Sequence, residues 1–145
     1  MLFGKIVLAC LFIAATFTDL HGRRIPNQLI VVGLAAFALI SSWQIHIMGT
    51  PLVIGSLKAG GVAFAVHLIP YCFRQMGAGD VKLSLVTGLL LGWQGWMAYL
   101  AAYCAVLFAA ALVLLLAGRQ KPRTLPMAPF MAASFFISQI SLFFR

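Results

Sequence analysis

"MGAGDVKLSLVTGLLLGWQGW", Met76 to Trp96, opens with two glycines and a carboxylate and then runs apolar to a pair of tryptophans. Its Asp80 is one of only two acidic residues in the chain, which carries 10 Lys and Arg. The other acid, Asp19, stands in "FTDLHGRRIPN", Phe17 to Asn27. An ionisable group beside lipid is costly, so it faces a bundle interior or a watery cavity and usually has a task there. What Asp80 is for therefore depends on whether the apolar runs around it cross a membrane.

The composition says that they do. Of 145 residues, 63% are hydrophobic and 8% charged, and the mean hydropathy is +1.07. A water-soluble domain clothes its surface with roughly a quarter charged residues. This chain reads instead as one polytopic, membrane-embedded domain over residues 1–145, with no room for a separate soluble one. The formal net charge of +8 does not point to nucleic acid. The basic residues stand singly or in small groups at the ends of apolar runs, as in cytoplasmic loops, and anionic lipid headgroups are their counter-charge.

Runs of about 17–23 residues are long enough to cross a bilayer as helices. They fall at about Leu2–Thr18, Gln28–Ile47, Leu52–Phe73, Asp80–Trp93, Trp96–Ala117 and Met127–Phe144, so the expectation is an all-α bundle of about six transmembrane helices. The break between the fourth and fifth falls within "GWQGW", where Trp93 and Trp96 suit a membrane interface. The opening "MLFGKIVLACLFIAATFT" resembles a signal peptide. Most of its apolar stretch follows Cys10, and no cleavage site precedes a soluble domain, so it reads as a retained first span.

With the amino terminus outside, the loops after helices one, three and five are cytoplasmic. With their flanks they hold Arg23, Arg24, Arg74, Lys82, Arg119, Lys121 and Arg123, seven of the ten basic residues. Lys5, Lys58 and Arg145 fall on the outer side at helix ends, where they can snorkel. The positive-inside rule thus puts both termini outside. Helix one then runs inward and ends at Asp19, and helix four runs outward and begins at Asp80. The two acids share one depth at the cytoplasmic side.

Two carboxyls a few ångströms apart cannot both ionise easily and tend to share a proton. Such a pair can act as base toward water and acid toward a leaving amine. Gly77 and Gly79 have no side chains, so an extended peptide could approach the backbone beside Asp80. Plainer roles exist. Asp80 would make a favoured N-cap for helix four, and Asp19 could pair with Arg23 or Arg24. A proton relay in a small carrier or assembly factor is a third reading, and composition and topology leave peptidase and carrier even.

The residues also carry a resemblance. "GAGD" before "VKL" resembles the GxGD motif of intramembrane aspartic peptidases. "DLHGRRIPN" resembles the first-aspartate motif of the type IV prepilin peptidases, and "LPMAPF", Leu125 to Phe130, resembles the proline-rich opening of their last helix. The resemblance implies that Asp19 and Asp80 are catalytic and that no metal or cofactor is needed. It implies substrates that are prepilins or pseudopilins with a single apolar helix, cut behind a short basic leader at the cytoplasmic border of a bacterial inner membrane. Larger family members carry a cytoplasmic insertion with paired cysteines and also methylate the new amino terminus. Here about nine residues join helix one to helix two, as in the short peptidases of Flp-type, tight-adherence pili, and N-methyl transfer is not expected.

Other residues read as follows. Pro26 and Asn27 set the turn into helix two. Lys82 snorkels toward headgroups, or bonds substrate backbone, or tunes Asp80. Gly88 and Gly92 form a GxxxG pattern that suits close helix contact. Cys10, Cys72 and Cys104 include no CxxC pair and read as small packing residues. His21, His46 and His67 are scattered and make no metal set, although His21 could touch Asp19. "GRQKPRTLP" reads as a topology anchor. A topology reporter fused after Gln120 is expected to read cytoplasmic and one fused at the carboxyl terminus external; the reverse would put both aspartates on the outer face.

Overall fold

A computed structural model describes residues 2–22, 25–74, 76–116 and 127–143. Within these residues five helices follow one another: α1 (Leu2–Gly22), α2 (Asn27–Met48), α3 (Pro51–Cys72), α4 (Ala78–Leu116) and α5 (Ala128–Phe143). The first four are long and apolar enough to cross a membrane. With 16 residues α5 is about 24 Å long, short of a hydrocarbon core of about 30 Å. The protein is an all-helical, multi-pass membrane bundle. Between α2 and α3 the chain turns at Gly49, which takes a φ of +81°, and Pro51 opens the next helix where its missing N–H costs nothing.

The 39 residues of α4 are two helices that abut at Gly92, which is not itself helical. Its φ of 68° with ψ of 179° lies in a region open essentially to glycine alone. The contacts show that the chain reverses there. On α3, Ala63 O accepts the Ser84 hydroxyl from the first arm (residues 78–91) at 3.3 Å. One turn along α3, the His67 ring meets the Tyr103 ring of the second arm (residues 93–116) at 5.6 Å. In a straight helix residues 84 and 103 would stand about 29 Å apart. The two arms are therefore an antiparallel pair, and the described residues form six rods, as expected. The break comes at Gly92, just ahead of the two tryptophans.

The first arm is the central strut. Every residue from Val86 to Gly92 is buried, the mark of a helix surrounded on all sides. It crosses α3 at small residues: a Cβ on Gly88 would come within 2.6 Å of Ala59 O and 2.8 Å of Gly60 Cα. One half of the GxxxG pattern thus makes the close contact and the other half makes the bend. On the opposite flank Phe12 of α1 holds Tyr99 of the second arm at 6.2 Å and Phe135 of α5 at 5.4 Å between ring centroids.

Three expectations need correction. The cysteines are not packed inside: Cys10, Cys72 and Cys104 are all exposed, on faces where lipid replaces water. Trp96 is not an interfacial residue, being 2% exposed, whereas Trp93 beside it is 46% exposed and suits that place. Helix α1 runs one turn past Thr18, to Gly22. In a membrane the inner and outer faces of a span are equally apolar, so hydropathy separates neither the cysteines nor the tryptophans by face.

Gly88→Leu is expected to destabilise the protein by about 1–3 kcal/mol or more, because backbone blocks the new side chain. Gly61→Leu, with nothing within 4 Å of its Cβ, should be near neutral. Thermal unfolding in detergent checks the pair.

Candidate functional site

Because α1 continues to Gly22, Asp19 is anchored on a rigid helix instead of a loop. It is 9% exposed, and its Oδ2 accepts the Ala128 N–H at 3.3 Å. Ala128 is the first residue of α5, where main-chain N–H groups have no partner within the helix. The positive end of α5 therefore points at a carboxylate. Pro129 follows, and a proline in the first turn sets the backbone for a helix at no cost in hydrogen bonds. This gives the "MAPF" half of the proline-rich motif a physical role: it begins a helix on Asp19. Leu125 and Pro126 lie outside the described residues, as do Arg23, Arg24 and residues 117–124 of the basic loop.

Asp80 is the third residue of α4 and is 9% exposed. It does not cap the helix. Its own N–H and that of Val81 bond to Gly77 O, at 3.2 and 3.4 Å, so Gly77 occupies the capping position. The two glycines of the motif do different things. A Cβ on Gly77 would sit 3.2 Å from Asp80 Oδ2, so glycine leaves that side of the carboxylate uncrowded. A Cβ on Gly79 would lie 2.9 Å from the Ile25 Cβ. Gly79 thus admits the Ile25-Pro26-Asn27 segment against the start of α4, and the two quoted motifs pack on each other.

Asp19 and Asp80 act on each other electrostatically, so the only two acids of the chain do converge. Asp80 Oδ1 is buried and has no hydrogen-bond partner among the described residues. The site is made of three helix ends: the last turn of α1, the first turn of α4 and the first residue of α5.

The supporting residues divide. Pro26 precedes α2 in extended geometry, with φ −64° and ψ 137°, and sets the entry to that helix. Asn27 makes no cap; its Oδ1 accepts from Lys82 Nζ at 3.1 Å. Lys82 is exposed, and this contact ties the start of α2 to the first turn of α4. His21 turns away from the acids, with Nδ1 3.0 Å from Phe17 O and its ring 4.3 Å from the Phe17 ring. Sequence reasoning missed Ala128 as a partner of Asp19, and it missed Tyr99, Tyr103 and the buried face of His67. A tyrosine in an apolar run carries no mark of its own.

The profile of the type IV leader peptidase family matches residues 6–119. The chain belongs to the type IV leader peptidase family. It is 33% identical, over an alignment of 141 residues taking in 91% of its length, to the prepilin leader peptidase/N-methyltransferase of Bacillus subtilis (strain 168). That alignment takes in 53% of the relative, so the chain spans about half the length of the curated protein it matches. No solved structure matches it. In this member of the type IV leader peptidase family the matched residues hold both aspartates, both glycines and the Ile-Pro-Asn turn. The α5 residue that holds Asp19 lies beyond them.

The Lys82–Asn27 tie is open to measurement. Lys82→Ala and Asn27→Ala should each cost little. A double-mutant cycle on thermal stability should return a coupling of about 0.2–1 kcal/mol, as for other exposed polar pairs.

Proposed function

We propose that the protein is an aspartic endopeptidase acting within the membrane, with Asp19 and Asp80 as its catalytic pair. One observation carries this reading: the only two acidic side chains of a membrane bundle stand within electrostatic reach of each other, both nearly buried, and one of them keeps an oxygen without a partner among the described residues. Such a pair can divide the work of hydrolysis. One carboxylate takes a proton from water as its oxygen attacks the peptide carbonyl. The other, held as the carboxylic acid, gives its proton to the nitrogen as the C–N bond breaks. Gly77 and Gly79 leave the backbone beside Asp80 clear, which suits an extended peptide.

Family membership and the name of the relative support prepilins or pseudopilins as substrates, with a short basic leader ahead of a single apolar helix. The seven-to-three distribution of basic residues supports both termini outside, and so a site at the cytoplasmic border of the inner membrane, among anionic lipids. The joins at residues 23–26 and 73–77 are too short to enclose a methyl donor, whose pocket would take hundreds of cubic ångströms. We therefore assign proteolysis without N-methyl transfer to these 145 residues.

Asp19→Asn and Asp80→Asn should each abolish removal of the leader from a co-expressed prepilin, while the variants still accumulate in the membrane. The double variant should be no worse than either, because the pair acts as a unit. A gel-shift assay of the prepilin reads the result. Full processing by either single variant would return the acids to a relay or purely structural role.

A further inference from the structure

Level with Asp80 lies a layer of buried polar groups that the proposed chemistry does not use. Its position follows from the helix register. Gly60 of α3 packs on Leu89 and Gly88, and Ala63 on Ser84. Continued one turn, this antiparallel register brings His67 level with Asp80 and Val81. On the other arm of α4, Tyr103 lies against His67, with ring centroids 5.6 Å apart. Tyr99 stacks on Tyr103 at 6.0 Å and 12°. Tyr99 is 0%, His67 2% and Tyr103 5% exposed.

Four atoms of this layer are buried without a hydrogen-bond partner among the described residues: Asp80 Oδ1, His67 Nε2, Tyr99 OH and Tyr103 OH. Isolated orphans of this kind are rare and call for an explanation. Taken together they form a matched inventory. His67 Nδ1 lies 2.9 Å from Ala63 O, an acceptor only, so Nδ1 carries the hydrogen and Nε2 is left as an acceptor in the neutral ring. Asp80 Oδ1 is a second acceptor, and the two tyrosine hydroxyls are two donors. Both hydroxyls already lie within electrostatic reach of Asp80.

We propose that Tyr103 is a positioning residue for Asp80: its hydroxyl, which bonds to none of the described residues here, turns to donate to Oδ1 when the site is at work, and with Tyr99 and His67 it backs the carboxyl group and holds its orientation. This rests on the reading of Asp19 and Asp80 as the catalytic pair. Asp80 is then gripped from both sides of its plane. Oδ2 faces the Gly77 backbone, where a substrate would lie, and the buried Oδ1 is the atom left for a tyrosine hydroxyl. Within electrostatic reach of Asp80 stand Asp19 from α1 and Tyr99 and Tyr103 from the second arm, and the register brings His67 of α3 to the same level. Among the described residues α5 contributes the main-chain end that holds Asp19, and Lys82, two residues along from Asp80, is occupied by Asn27.

The test uses the full chain purified in detergent and a peptide with a basic leader, a glycine and one apolar helix. Tyr103→Phe removes the hydroxyl and keeps the ring. It should leave KM and the melting temperature unchanged, lower kcat about tenfold, and move the pH dependence of kcat, which loss of folded protein cannot do. Asp80→Asn is measured beside it. An active Asp80→Asn enzyme would sink the catalytic pair itself. An inactive Asp80→Asn with a Tyr103→Phe enzyme equal to wild type in kcat and pH profile would overturn the positioning role alone. Should Tyr103→Phe fail to accumulate, 3-fluorotyrosine at position 103 changes hydroxyl acidity with little change in volume. A pH profile unmoved by it would also overturn the proposal.

Discussion

Where the first arm of α4 crosses α3, the two backbones are in contact, and there is no space for a Cβ on Gly88. Lipid tails are as apolar as leucine, so no hydrophobic force presses one span on another, and close packing of small residues has to do it. That crossing sets the register of the bundle. It puts Ser84 on Ala63, carries His67 to the level of Asp80, and leaves the second arm to return past the same face of α3. The return needs a residue that tolerates the conformation of Gly92. One glycine brings the helices together and another, one turn later, sends the chain back. The depth of Asp80 and the identity of its neighbours follow from these two.

The second constraint is electrostatic. A membrane interior tolerates few carboxylates, and this chain has two. Each is supplied by a helix end and supported by backbone. The first N–H of α5 holds Asp19, and the Gly77 carbonyl closes the turn that carries Asp80. Around them the Ile25-Pro26-Asn27 segment packs on Gly79 and is tied to Lys82. These supports are local and rigid, as a site that must hold two groups of like charge in register requires. They also account for motifs whose residues never touch the acids directly.

Much of this was legible before any coordinates. Charge scarcity and apolar run length showed the spans, and run direction placed Asp19 and Asp80 at one end of the bundle. The bend was expected within "GWQGW" and lies at its first residue, Gly92, the one whose backbone is not helical. The rest was hidden for physical reasons. A span is apolar on every face, so nothing in hydropathy tells that Trp96 is buried or that Cys104 is exposed. Tyr99 and Tyr103 read as apolar filling, since only the fold-back at Gly92 brings their hydroxyls near Asp80. Asp80 as a helix cap was a fair local reading. It failed because the capping position belongs to Gly77, three residues earlier.

The central claim is that Asp19 and Asp80 share one site, and proximity tests it most directly. In a chain with Cys10, Cys72 and Cys104 replaced by serine, single cysteines at positions 19 and 80 can be oxidised or bridged by a short bifunctional maleimide in native membranes. The account predicts rapid intramolecular cross-linking of this pair, and none when position 19 is paired with Trp93 at the far end of the first arm. Failure of the 19–80 pair to cross-link, in protein whose cysteines both react with a monofunctional maleimide, would contradict it.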